Sequence, residues 1–543
     1  MTYEMNRTSS LADFLEQYRR HHTEDVFLVD EAVDAEYEPT AYYKLLEEKN
    51  PLIWFSKVKG YPDFQLVTNV MGSRTRMAFA LGLDSESKLY ETWNEVLNSK
   101  DKIQISDESP PIKERVFQGK DVDLYSLPVV KHYSGDGSYT GFGRYITSGL
   151  AVARDPLSPE TINMSFTRIQ IIDKDRYAFD MGSRSHFWRY VQSATQKGDS
   201  LQVSVVVGAH PVFYMLAASF IENEYSIAAK LIDATFTNGV TNHIPVPSEA
   251  EIVIEAEVIP NEYYHEGPCG EFTGYMAART TGSVAKVKAI LRRARPIYYD
   301  IQPSNSSEHI GLFTTLRNAK ISRMLAEVLP PGARYKIEWP LISATFLTLC
   351  SLPNPEPGIA KQAGLGLLAL NALLSKIVMV NEGDSELELE TFLANLSVTG
   401  ARNGENVHII TDVFAIKLDP TTTPEGTNAK MIIVTKNSGL AYRKVVTTDF
   451  VKLVSGNSEV VISHQPTAEA RVNIIVGDDI DLQNSNQIVW ALSTRLRPDQ
   501  DVAFGNDGRI VFDTTRITEK LEVPSLPQDI IERIADKLRE GNR

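Results

Sequence analysis

The sequence predicts a mixed α/β (α+β) protein of two or three domains, and three observations predict it. At 543 residues the chain exceeds what one ordinary hydrophobic core holds. Alternating runs such as Ile252, Ile254, Ala256 and Val258, with Glu255 and Glu257 between them, have the period of half-buried strands. Interleaved segments place apolar residues at helical spacing, as in Leu11, Phe14 and Leu15, or Leu89, Trp93, Val96 and Leu97.

In chain order, a helix is expected over Ser10–Tyr18, a strand at Phe27–Glu31 and a helix over Tyr42–Glu48. Leu52–Phe55 and Phe64–Val67 read as paired strands around a Gly60-Tyr61-Pro62 turn. Asp84 or Ser85 is the expected N-cap of the next helix. The run Gly135–Gly143 fits neither phosphate-loop pattern and reads as a flexible loop. Ile146–Ala153 and Ile162–Ile171 read as strands, Ser183–Val191 as the opening of a helix, and Leu201–Gly208 as a buried strand. Ala285, Val287 and Ala289 alternate with Lys286 and Lys288, giving a partner strand for Glu251–Ile259. Helices over Asn318–Val328 and Ile359–Leu374 flank a proline-rich segment. Residues 376–436 and 472–516 form a degenerate repeat, each half read as strand, helix, strand. A final helix carries Ile530, Ile531, Ile534 and Leu538 on one stripe.

A net charge of −15 argues against a nucleic-acid or anionic-membrane partner, because no basic surplus exists to neutralise phosphates. Cys269 and Cys350, the two cysteines, cannot build a disulfide framework or a thiolate zinc site, which fits a reducing cytoplasm. The first residues lack the apolar core of a signal peptide. The most apolar long run, Leu365–Leu374, is much shorter than the roughly 20 residues of a membrane helix.

The most informative stretch is Glu266-Gly267-Pro268-Cys269-Gly270-Glu271, followed by Phe272-Thr273-Gly274-Tyr275. Two glycines and a proline predict a tight turn on the rim between two strands, holding two carboxylates five residues apart. Crowded or desolvated carboxylates have their pKa values pushed apart, so one can hold a proton near neutral pH. A solvated acidic turn is the plainer alternative. Asn163 and Arg168 lie five apart on a strand, hence on opposite faces unless a bulge intervenes. His186 sits where a helix opens, and Glu222 and Glu224 sit at a helix N-terminus, where the dipole favours acidic residues.

Together, Asn163-x4-Arg168, His186 twenty-three residues after Asn163, Glu224, and Glu266–Tyr275 resemble the signature of the UbiD-type decarboxylases in order and nearly in spacing. That family includes ferulic (cinnamic) acid decarboxylase and the polyprenyl-hydroxybenzoate decarboxylase. Asn69–Ala78, Pro247–Ala256, Val476–Leu482 and Trp490–Pro498 support the likeness. The resemblance implies a prenylated-FMN-binding and catalytic region over 1–315 with a mixed or antiparallel, split-barrel-like sheet. The residue pattern adds a helical linker over 316–358, a C-terminal α/β domain over 359–523 and a closing helix over 524–543.

The resemblance also implies prenylated FMN supplied by a flavin prenyltransferase, a divalent cation, usually Mn2+, and K+ or Na+. By position, Asn163, His186 and Glu224 are the implied metal ligands, with Glu222 the fallback for Glu224. Ser165, Phe166, Thr167, Arg168 and Ser185 join them around the cofactor. Arg168, Glu266 and Glu271 are the implied Glu-Arg-Glu network. In the family's mechanism the flavin's 1,3-dipole adds across the unsaturated bond beside the substrate carboxylate, a dipolar cycloaddition. Carbon dioxide then leaves and Glu271 protonates the carbon. The implied function is non-oxidative, reversible decarboxylation of an α,β-unsaturated, aromatic or heteroaromatic acid by a homodimer or larger homo-oligomer.

Gly182, Phe272, His309 and Leu312 are the implied substrate-pocket residues. The polar character of this region, from Gly182 and Ser185 to Ser304–Leu312, favours a hydroxylated aromatic or heteroaromatic acid. Cys269 stands where the family carries a larger residue, and reads as packing rather than as a nucleophile. The alternatives are a non-catalytic flavin- or metal-binding subunit of a carboxylase assembly, and a hydrolase using Glu266 and Glu271 as acid and base.

Overall fold

The computed structural model describes residues 8–97, 103–138, 142–181, 185–219, 221, 223–467, 470–516 and 521–541, with the side chains of 279–281 left aside. The chain forms two compact units, one of residues 1–316 with 523–543 and the other of residues 317–522.

The first unit opens with α1 (Leu11–His21), capped by the Ser10 hydroxyl, which accepts from the Asp13 amide. Strand β1 (Val26–Val33), helix α2 (Glu38–Leu46), and strands β2 (Leu52–Val58) and β3 (Gln65–Thr68) follow. The Gly60 turn makes β2 and β3 antiparallel neighbours, while β1 runs parallel to β2. Ser85 caps a short 3-10 turn at Glu86–Lys88, so the α-helix expected there begins only at Leu89.

A longer run of strands then closes on itself. It comprises β4 (Tyr145–Asp155), β5 (Ser158–Ile171), β6 (Arg176–Phe179), α3 (His186–Lys197), β7 (Leu201–Val207), α4 (Glu224–Ile232), β8 (Ile252–Gly270) and β9 (Met276–Arg292). Pairing runs β8-β7-β4-β5-β6-β9 and returns to β8, which is a six-stranded antiparallel barrel. Closure follows from the period-2 pattern. Ala151 and Ala153, Ile169 and Ile171, Val203 and Val205, Ile252 and Ile254, and Ala285 and Val287 are all buried in one apolar cluster, which a closed sheet turns into its interior. Strand β10 (Ile297–Asp300) then returns to lie parallel to β3.

Helix α5 spans Ser307–Val328, starting well before the expected Asn318, so His309 and Leu312 are helical. Of residues 316–358, expected as a helical linker, 316–328 are helical as the end of α5, and the remainder is not an α-helix. In the second unit it carries β11 (Lys336–Glu338) and β12 (Leu347–Leu352), and all six residues of β12 are buried, as in a strand covered on both faces. Helix α6 (Ile359–Leu370) stops four residues before the expected Leu374, where Asn371 leaves the helical conformation. Then come β13 (Ile377–Glu382), α7 (Leu389–Thr399), β14 (Val407–Phe414) and β15 (Thr427–Lys436). After β16 (Arg443–Val446), β17 (Phe450–Ser455) and β18 (Ser458–Ser463) come β19 (Val472–Val476), α8 (Ser485–Arg495), β20 (Val502–Phe504) and β21 (Ile510–Thr514).

The two windows read as a repeat share one order, strand, helix, strand, strand, with one strand more than expected in each. In each, the first strand lies parallel to the last and the middle strand pairs antiparallel with it. Helix α7 packs between them, against β15 of one sheet and β17 and β18 of the other. The closing helix α9 (Gln528–Gly541) belongs to the first unit, where it packs on α2 and buries Ile534. Among the described residues no helix is long and apolar enough to cross a membrane.

Candidate active site

Strand β5 carries Asn163 and Arg168, and the barrel brings distant partners to each. Arg168 donates through Nε to Glu266 Oε1 at 2.7 Å and through Nη1 to Glu271 Oε1 at 2.6 Å. Glu266 is wholly buried, and the side chains of Arg168 and Glu271 keep only 17% and 10% exposure. Burial would favour loss of the guanidinium proton, but the facing carboxylates of Glu271 and Glu266 outweigh it and push the Arg168 pKa well above its ordinary value. Two carboxylates face one cation, so the cluster has one negative charge in excess, which a single proton cancels. Arg168 Nη2 is buried and finds no hydrogen-bond partner among the described residues. A buried charged donor of that kind fits an incoming carboxylate.

The local backbone corrects the expected turn. Glu266–Gly270 is the end of β8, and the reversal falls on Glu271–Tyr275, where the Gly274 amide donates to the Glu271 carbonyl and Gly274 takes φ +84°. Gly267 serves close approach instead: a Cβ there would lie 2.5 Å from Gly137 Cα. The Gly137 amide donates to the Pro268 carbonyl at 2.7 Å, so the described part of the glycine run clasps the β8 end. Tyr145 donates to the Gly267 carbonyl at 2.6 Å, and Gln170 accepts from the Gly267 amide at 3.0 Å. Tyr145 also lies under the guanidinium, with its ring centroid 5.9 Å from Arg168 Cζ. These supports carry no motif, and of them only the glycines left a mark in the sequence. Cys269 is buried, and burial pushes its thiol well above the ordinary range, so it packs as a neutral side chain.

Between Asn163 and Thr167, β5 pairs with β4 without interruption, and the bulge lies on the neighbouring strand. Ile146 pairs with Ile169 and Gly149 with Thr167, so Thr147 and Ser148 of β4 both stand opposite Arg168. Such bulges re-aim side chains beside sites.

Asn163, His186 and Glu224 converge. Asn163 Nδ2 lies 3.1 Å from Glu224 Oε1 and 3.5 Å from His186 Nδ1, while Asn163 Oδ1 accepts from Ser165 at 2.7 Å. His186 and Glu224 are the first residues of α3 and α4. Ser185 caps α3 by accepting from the Trp188 amide, which is worth about 1 kcal/mol. Glu224 is 2% exposed. One carboxylate and one imidazole, each within hydrogen-bonding reach of the Asn163 amide, suit a hard cation. No group of three or more His, Cys, Asp and Glu clusters as a metal site among the described residues, and this trio has only two members of those types. Phe166 stacks edgewise on Tyr214, with centroids 6.1 Å apart, and Thr167 donates to the Arg168 carbonyl.

Of the pocket residues, Phe272 and Leu312 are buried, and Phe272 lies against Phe313 with centroids 5.4 Å apart. His309 donates from Nδ1 to the Ser304 carbonyl at 2.9 Å. Burial pushes the His309 pKa down while the nearby Glu271 carboxylate opposes it, so the ring is neutral with Nε2 as an acceptor. Gly182 and Glu222 lie outside the described residues.

Three family models match the chain. They describe the N-terminal domain of 3-octaprenyl-4-hydroxybenzoate carboxy-lyase at residues 20–95, its Rift-related domain at 103–306 and its C-terminal domain at 461–517. A phenolic acid decarboxylase of Sedimentibacter hydroxybenzoicus is 28% identical over 413 residues, covering 72% of this chain and 83% of that one. The UbiD-class enzyme HmfF from Pelotomaculum thermopropionicum, solved with FMN, superposes with a TM-score of 0.71 at 25% identity over 78% of this chain and 94% of that one. Vanillic acid decarboxylase of S. hydroxybenzoicus in its open form gives a TM-score of 0.69 at 25% identity, over 79% and 93%. With the barrel, the three matched domains and these relatives in agreement, this chain belongs to the UbiD family and is a carboxy-lyase.

Proposed function

We propose that this chain decarboxylates a hydroxylated aromatic or heteroaromatic acid with prenylated FMN, using Arg168, Glu266 and Glu271. The observation that carries this reading is the buried cluster itself: one guanidinium shared by two carboxylates, with a further N–H unpartnered among the described residues. A strand rise of roughly 3.3 Å per residue puts Arg168 about 16 Å along β5 from Asn163, which suits an elongated cofactor with a phosphate at one end and a reactive ring at the other. Asn163, His186 and Glu224 would hold a divalent cation, Mn2+ by family analogy, against that phosphate, with K+ or Na+ beside it. Asn163 would turn its amide oxygen to the metal. When bound, the modified flavin supplies the electron sink that makes loss of carbon dioxide feasible.

The protein's own part is positioning and proton handling. Arg168 orients the substrate carboxylate through Nη2, Glu266 holds Arg168 through Nε, and Glu271 delivers the proton to the carbon that loses carbon dioxide. Buried Phe272 and Leu312 exclude water. The neutral His309 offers Nε2 to a ring hydroxyl, which agrees with the phenolic and vanillic acid decarboxylases among the relatives.

Co-expression with a flavin prenyltransferase should give a coloured protein whose spectrum differs from that of FMN. That protein should release carbon dioxide from hydroxybenzoic acids. A protein that stays colourless and active on glycosides would sink the reading. His309→Leu should raise KM for hydroxylated acids by about 10-fold or more relative to unsubstituted ones, because a site built to bond a hydroxyl loses that discrimination without its partner. Equal KM changes for both classes would remove His309 from substrate recognition.

A further inference from the structure

Behind the Arg168 cluster lies a second set of buried charges. His132 and the carboxylate oxygens of Asp136 and Asp300 are fully buried. His132 Nε2 lies 3.0 Å from Asp300 Oδ1, and its Nδ1 lies 3.9 Å from Asp136 Oδ2. Asp136 Oδ2 also accepts the amides of His132 and Tyr133 at 3.0 and 2.9 Å, closing the 132–136 turn on itself.

Two branches leave this set, one to the strand that faces Arg168 and one to the segment that carries Glu266 and Glu271. In the first, Asp300 Oδ1 accepts from Thr147 Oγ1 at 3.1 Å, and Thr147 Oγ1 accepts the Ile301 amide at 3.2 Å. Thr147 is half of the bulge opposite Arg168. In the second, the closed turn presents the Gly137 amide to the Pro268 carbonyl and packs the Tyr133 ring against Gly270, where an added Cβ would come within 3.2 Å of it. The His132–Asp300 contact joins the strand that faces Arg168 to the segment that carries Glu266 and Glu271.

We propose that His132 and Asp300 form a positioning pair that holds the Glu266–Glu271 segment in register with Arg168. Burial alone would strip the proton from His132, but Asp300 and then Asp136 outweigh it and raise its pKa, which favours the charged form of the His132–Asp300 contact. The groups facing it are these two carboxylates, with Lys131 acting on Asp136. Folded-state pKa exceeds unfolded pKa, so the stability it contributes is whole below the ordinary histidine value near 6.5 and is lost as pH rises through the raised value.

The inference rests on the decarboxylase reading, and its test separates the two. Rates would be measured per bound flavin in the co-expressed holoenzyme for wild type, His132→Asn and the milder Thr147→Val, which keeps the His132–Asp300 contact but cuts its link to the bulge. His132→Asn should lower kcat by about 10- to 100-fold, the scale of a misplacement near 1 Å, with KM little changed and the limb of the kcat–pH profile displaced. Thr147→Val should move both in the same direction by less. Unchanged kcat per flavin and an unchanged profile in His132→Asn, whatever happens to its melting temperature, overturn the proposal. If wild type releases no carbon dioxide from any acid, the decarboxylase reading fails instead. Crystal structures of the two variants then decide the inference: a displaced Arg168–Glu271 contact supports it, and one retained at 2.6 Å overturns it.

Discussion

Glu271→Gln is expected to lower carbon dioxide release by about 100- to 10,000-fold, the usual contribution of a positioned general acid, while flavin binding survives. Gln is isosteric and still accepts a hydrogen bond from Arg168 Nη1, so the cluster keeps its shape and loses only the group that carries the proton. The measurement pairs single-turnover carbon dioxide release with the flavin spectrum, so that a failure to bind cofactor is not mistaken for a failure of chemistry. A variant retaining most of the wild-type rate would take proton delivery away from Glu271.

The second large effect concerns Arg168. Arg168→Ala leaves Glu266 wholly buried without its cation, and breaking a buried pair in this way costs about 3–5 kcal/mol. The 17% exposure of Arg168 places the loss toward the lower end of that range. The variant should melt at a distinctly lower temperature and release no measurable carbon dioxide. Arg168→Lys should recover part of the stability but little of the rate, because an ammonium is a point charge and cannot present Nε and Nη1 to two carboxylates in one plane. Thermal denaturation of both variants beside wild type checks this. Equal melting temperatures for wild type and Arg168→Ala would mean that the carboxylates are not held as a buried charged cluster.

Much of this protein is determined by local sequence. Period-2 runs such as Ile252–Val258 specified barrel strands because a closed sheet must bury every second residue. The order Asn163, Arg168, His186, Glu224, Glu266, Glu271 carried the resemblance to the UbiD family, to which the chain belongs. Of the caps, the sequence marked Asp84 or Ser85, and Ser85 caps a short 3-10 turn. Only tertiary structure decided the rest. Pro268 and its glycines read as a turn, but pairing with β9 made them strand, and Gly267 answers to Gly137, 130 positions away. Six buried residues between prolines, Leu347–Leu352, read as linker until β13 supplied their hydrogen bonds. His132, Thr147 and Asp300 belong to no motif, since their roles exist only where a bulge and a loop meet across the barrel. Local propensity depends on neighbours in the chain, whereas register, burial and shared protons depend on neighbours in space, which one sequence does not name.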